Sequence, residues 1–217
     1  MSAKKYRRRD VISFYYGGET IASNKINQAI ADALSSNEER KFVETVEVAI
    51  NLKDVDLQNP QKRISAEVAL PHGRGRPARV AVFAQGEMAV ISKKVVDTVI
   101  SPEQIDELSE DKRKARKLAG KFDFFVAETG LMASIGKSLG VVLGPRGKMP
   151  RPIPPQADIE RIIKGLTNLV PVRTKDRPTF HVPIGNVSMS QEQLADNLET
   201  ILKRVESSLD RGYDNIA

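Results

Sequence analysis

Cysteine is absent from the 217 residues, which excludes disulfides and thiolate metal sites and suits a cytoplasmic setting better than a secreted one. Histidine occurs only as His72 and His181, too few for a histidine-based metal cluster, so no metal ion and no cofactor are expected. No apolar run approaches the roughly 20 residues of a membrane span. The basic N-terminus, Lys4 to Arg9, is followed by Asp10, by residues 11–16 and by Gly17-Gly18, too short and interrupted for the apolar core of a secretion signal. A soluble chain without a membrane partner is expected. What the chain does have is charge. It holds 34 Lys and Arg against 28 Asp and Glu, a formal net charge of +6, which raises the prior for an acidic partner without deciding it.

Two proline and glycine clusters punctuate the sequence, at 71–77 (PHGRGRP) and 150–155 (PRPIPP). Proline fixes φ and lacks an amide donor, so neither stretch continues a helix or a central strand. They are read as hinges into and out of an inserted middle domain, with Pro71, Gly73, Gly75, Pro150 and Pro152 as the hinge residues. The middle segment, 71–155, alternates in type: strands at 79–84, 97–100 and 122–127, helices at 86–96, 103–121 and 132–143. Such alternation predicts an α/β domain with a small parallel sheet. The flanking segments, 21–70 and 156–217, read as one discontinuous α+β domain, an antiparallel sheet with helices. Residues 42–52 alternate, with Val46, Val48 and Ile50 on one face, and 64–70 is the expected neighbouring strand. Helices are expected from Ser23 or Asn24 to about Leu34, over 158–169, and from a Ser190 cap with Gln193 in the reciprocal position. Strands are expected at 170–173 and 179–184, and residues 1–20 form an N-terminal arm, either RNA-seeking or disordered.

Enzyme signatures are imitated but not met. Gly136-Lys137-Ser138 follows a predicted strand, yet the first glycine of a phosphate-binding P-loop falls on Leu131. A nucleotide-binding enzyme built on that turn is the runner-up reading. Gly144-Pro145-Arg146-Gly147-Lys148-Met149 fails the same spacing, and Ser134-Ile135-Gly136-Lys137 lacks the companion motifs of a serine acyl-enzyme. Glu44 and Glu47, three apart on a strand, face opposite sides and cannot share a substrate. No nucleophile, base and orienting group assemble, so no enzyme is expected. A third reading is an interaction module whose charge serves only solubility.

The basic features are stronger. Arg40, Lys41 and Phe42 put positive charge and a ring together at a sheet end, a combination that binds RNA phosphates and packs on bases or riboses. Arg173, Lys175 and Arg177 surround the turn between two later strands, where a solvated hairpin tip is the bland alternative. Lys112, Arg113, Lys114, Arg116 and Lys117 form a charged helix face that solvation explains equally well. The arm mixes Arg7, Arg8 and Arg9 with Tyr6, Phe14, Tyr15 and Tyr16.

The order of residues then becomes specific. Lys41-Phe42-Val43-Glu44-Thr45-Val46-Glu47-Val48, Leu70-Pro71-His72-Gly73-Arg74-Gly75 and Leu143-Gly144-Pro145-Arg146-Gly147-Lys148-Met149-Pro150 resemble the first strand, first hinge and second-hinge signature of the L-one family of large-subunit ribosomal proteins, archaeal type. The resemblance runs from about Asn24 to the last residue. It implies a discontinuous first domain that binds a stalk of large-subunit rRNA near the tRNA exit site, and an inserted second one. It also implies help in releasing deacylated exit-site tRNA, repression of translation on the protein's own mRNA, and a monomer when free. Lys41, Phe42, Thr45 and Glu47 match the family's RNA-contacting strand residues, and Lys175 and Asp176 match its basic turn more loosely. With Arg40 and Arg173 these make up the expected RNA-binding set. The family's further strand, carrying Thr-Met-Gly, would begin where the sequence stops at Ala217. The sheet is therefore expected to be less stable and to bind RNA more weakly, unless 11–16, whose residues favour a strand, closes it.

Overall fold

The computed structural model describes residues 11–13, 23–35 and 41–217. In chain order its elements are β1 (Val11–Ser13), α1 (Ser23–Ser35), β2 (Thr45–Asn51), β3 (Ser65–Ala69), β4 (Val80–Phe83), α2 (Gly86–Ser92), β5 (Val99–Ile100), α3 (Pro102–Glu110) and α4 (Lys112–Lys121). Then come β6 (Phe124–Glu128), α5 (Met132–Leu143), β7 (Arg151–Ile153), α6 (Ile159–Thr167), β8 (Leu169–Arg173), β9 (Thr179–Asn186) and α7 (Gln191–Glu206), besides three short 3-10 turns. They form two compact units: the described residues up to Arg76 together with Asn168–Ala217, and Pro77–Thr167. The chain passes between them at Arg76–Pro77 and at Thr167–Asn168, so α6 lies in the second unit.

The first unit contains a three-stranded sheet ordered β1-β2-β9, with β1 parallel and β9 antiparallel to β2. The alternation of β2 dictates its faces: Val46, Val48 and Ile50 are buried, and so are Phe180, Val182 and Ile184 of β9. Ile26 and Ile30 of α1 and Leu194, Leu198, Ile201 and Val205 of α7 share that core. Each such side chain contributes about 1.5–3 kcal/mol on burial. The strand at 64–70 is not the neighbour of β2. It pairs instead with β8, in a separate two-stranded antiparallel sheet. The long β9 matches β2 over its whole length, leaving that edge no room for a second partner. Consequently β8 and β9 do not form a hairpin. The turn between them is anchored by Thr174, which donates its amide to Ile64 O (3.0 Å) and accepts the Ile64 amide at its hydroxyl (2.8 Å).

On the β2 edge away from β9, β1 runs beside Glu47–Ala49. Farther along, Ile216 bridges to Leu52, and the Ala217 amide donates to Asn51 O at 2.9 Å. Within the segment 11–16, residues 14–16 lie outside the described residues, as do Tyr6, Arg7, Arg8 and Arg9 of the arm.

α7 begins as its sequence predicts. The Ser190 hydroxyl accepts the Gln193 amide at 3.3 Å, and the Gln193 side chain accepts the Ser190 amide at 3.1 Å. Removing one half of this box in Ser190→Ala is expected to cost about 1 kcal/mol, read as a lower denaturation midpoint at unchanged m-value.

The second unit is a four-stranded parallel sheet, β5-β4-β6-β7, with β4 buried throughout. The expected single helix at 103–121 is two. Asp111 leaves helical geometry (φ −105°, ψ 89°) and accepts the amides of Arg113 and Lys114 at 2.8 and 3.1 Å, ending α3 and capping α4. Together the two units bear out the expected α+β plus α/β combination.

Candidate nucleic-acid interface

Lys41 and Phe42 precede β2, and both are exposed. Phe42 is 65% accessible and the adjacent Val43 62%, so both can be covered by a partner. Glu44 is buried, and its carbonyl accepts the Val187 amide at 3.1 Å, fastening this entry segment to the loop after β9. From there the strand alternation carries Thr45, Glu47, Ala49 and Asn51 to the face opposite the core. The ladder sets Asn186, Pro183, His181 and Thr179 of β9 across from them, in that order. The result is a polar sheet face ending in an exposed ring and a cation. Such a surface can offer hydrogen bonds to riboses and phosphates and a plane for stacking.

The expected residues divide into two groups. Lys41, Phe42, Thr45 and Glu47 converge at the start of β2. Lys175, Asp176 and Arg177 are exposed in the turn 174–178, next to the Thr179 end of β9, and Leu52 donates its amide to Pro178 O there. Arg173 is also exposed, but on β8, in the other sheet. Because Thr45 and Asn51 stand six residues apart on one strand, the two groups mark opposite ends of the ladder, separated by about 20 Å. Arg40 lies outside the described residues.

The hinge residues also separate. Pro71, Gly73 and Gly75 belong to the first unit, whereas Pro150 and Pro152 belong to the second, Pro152 pairing from β7 with Ala127. Residues 72–76 are strapped down by two asparagines that the sequence reading did not single out. Asn197, fully buried on α7, donates to Gly73 O and to Ile184 O, both at 2.8 Å, and accepts the His72 amide at 3.2 Å. The His72 ring also meets Asp196 Oδ2 at 2.9 Å. Asn186 donates to Gly75 O at 2.9 Å. Gly75 has φ +77°, and an added Cβ would stand 2.5 Å from the Asn186 side chain, so glycine is required there. Since Asn186 also faces Thr45, the loop is fixed to the Phe42 end of the ladder. It brings the exposed Arg76 into the same unit, a third residue not singled out from the sequence. The alternation Gly73-Arg74-Gly75-Arg76 was the available signal.

The enzyme-like motifs have structural roles. Gly136, Lys137 and Ser138 lie in the middle of α5, where amides serve the helix ladder and cannot cradle a phosphate. Ser134 lies in the same helix. In the 144–149 stretch, Gly147 takes φ +66°. Arg146 donates to Val142 O at 3.0 Å, and Lys148 donates to Ala119 O and Phe122 O at 2.9 and 2.7 Å. This stretch terminates α5 and closes the last turn of α4.

Comparison with known proteins agrees on one family. A model described as the ribosomal protein L1p/L10e family matches residues 34–217. Large ribosomal subunit protein uL1 of Archaeoglobus fulgidus is 49% identical over 196 residues, covering 90% of this chain and 89% of that protein. The uL1 proteins of Methanothrix thermoacetophila and Thermoplasma volcanium are 48% and 47% identical, covering 88% and 89% of this chain and 91% and 89% of theirs.

Proposed function

We infer function from one premise, that this chain belongs to the ribosomal protein L1p/L10e family: it is a structural constituent of the large ribosomal subunit and binds large-subunit rRNA. It works as a binding protein and not as an enzyme. The first unit, discontinuous in sequence, is the rRNA-binding domain, and Lys41, Phe42, Thr45 and Glu47 lead the contact. The observation that carries this is the largely exposed ring of Phe42 beside a cation and a polar strand face. Lys175 and Arg173 act as outlying phosphate contacts on the same domain, and Asp176 beside them accepts a hydrogen bond from a ribose hydroxyl or a base amino group. The RNA is a stalk-like helix near the tRNA exit site, so the protein is cytoplasmic and ribosome-bound, and a monomer when free. We extend the proposal to two roles of the same surface. Held beside exit-site tRNA, the protein helps deacylated tRNA leave. Offered a similar helix in its own mRNA, it represses translation.

The test is a titration of large-subunit stalk rRNA at several salt concentrations. Phosphate contacts release counterions, so log affinity should fall linearly with log salt, by about 0.7–0.9 per phosphate neutralised. A flat response would overturn the proposal.

A further inference from the structure

The positive charge of this chain is not concentrated where the proposed rRNA surface lies. Residues 77–167 hold 15 Lys and Arg against 11 Asp and Glu, and six of the 15 stand on the ten-residue α4. Without that helix the second unit would be acidic. Lys112, Arg113, Lys114, Arg116, Lys117 and Lys121 are all exposed, and none forms an ion pair among the described residues. The helix contains no acid. The acid before it, Asp111, is engaged as its cap, and the Lys114 and Arg113 amides hold its carboxyl below the usual range.

We propose that α4 is a second RNA contact, a cationic ridge that binds the phosphate backbone of duplex RNA without reading its sequence. This rests on the reading of the chain as an RNA-binding protein. Helical geometry places Ala115 and Ala119 against the core and spreads the six cations over the remaining arc. Arg113, Lys117 and Lys121 form one row, each step about 6 Å along the axis. Like charges at that spacing repel and destabilise a helix, so solvation alone does not account for the arrangement. The helix's own needs account only for Lys121, whose charge suits the last turn and whose Nζ lies 5.3 Å from the Phe122 ring centroid, while Lys148 from another segment serves the carbonyls of that turn. Gly120 is exposed within the arc and has nothing within 4 Å of an added Cβ, which leaves an open notch between the cations. No apolar side chain of α4 is exposed. A protein partner would call for an apolar or aromatic anchor at the centre of its interface, whereas a phosphate backbone calls for charge alone.

The experiment titrates the full chain and the triple variant Arg113→Gln, Lys117→Gln, Lys121→Gln with three probes: a 20-base-pair RNA duplex of arbitrary sequence, the stalk rRNA and a polyglutamate chain. Loss of three phosphate contacts should lower the salt slope for the duplex by about 2 to 3 and weaken low-salt binding at least tenfold. Melting should change little, because glutamine is as good a helix former and relief of the like-charge repulsion offsets the lost contact of Lys121 with the Phe122 ring. Should the triple variant melt early, Lys117→Gln alone should lower the slope by about 0.7–0.9. Phe42→Ala separates this inference from the proposed function, because it should weaken stalk rRNA binding and leave the arbitrary duplex untouched. An unchanged duplex slope in the α4 variants overturns the inference whatever Phe42→Ala does. Loss of binding to a polyglutamate chain, with duplex binding intact, would assign the ridge to an acidic protein and overturn it as well.

Discussion

Asn197→Leu is expected to destabilise the protein by about 3 kcal/mol, although leucine shares the branched four-atom skeleton of asparagine and suits a buried helix face. The wild-type side chain satisfies three backbone groups at once: it donates to Gly73 O and Ile184 O and accepts from the His72 amide. Leucine offers none of these bonds, and the amide and carbonyls cannot all reach water while α7 stays packed on β9. An orphaned buried polar group costs about 1–3 kcal/mol, whereas the apolar gain from one side chain is smaller than the three losses together. Asn197→Asp should be at least as harmful, because a carboxylate presents acceptors to two carbonyl oxygens. The denaturation midpoint measures the loss. Amide exchange at His72 and Gly73 should accelerate first, since the loop they occupy is held by this contact. A variant as stable as the wild type would show that the loop 72–76 is not fastened through Asn197.

The same residue shows where sequence reading stopped. Asn197 lies in a helix whose apolar stripe runs through Leu194, Leu198 and Ile201, three after the first and one before the second. A polar residue inside that stripe was a visible sign of a buried hydrogen-bonding duty, but its partners lie more than a hundred residues away in sequence for the loop and thirteen away for Ile184. Local features were legible for the same reason that this was not. The alternation of β2, the limits of α5 and the Ser190 box all depend on neighbours in the chain. Which strand pairs with which depends on contacts the sequence does not order, so adjacency in the chain points 64–70 to β2 although β9 occupies that edge. That misassignment also hid the separation of Phe42 from Lys175, which follows only from the β2–β9 register. The break at Asp111 was masked by the unbroken run of charge around it, even though aspartate is a preferred cap.

The central claim is that the exposed entry to β2 reads rRNA, and Phe42→Ala in the full chain tests it most directly. Aromatic packing on a base is worth about 1–3 kcal/mol, so the variant should bind stalk rRNA roughly 5- to 150-fold more weakly. Because Phe42 is 65% exposed, thermal melting should stay within about 0.5 kcal/mol of the wild type. Its salt slope should also be retained, since no phosphate contact is lost. Lys175→Gln, at the other end of the ladder, should show the converse pattern: a slope lower by about 0.7–0.9 and a smaller loss of affinity. The account predicts that rRNA affinity falls in Phe42→Ala while stability and slope hold. Wild-type affinity in that variant, measured on the same RNA and at the same salt, would contradict it.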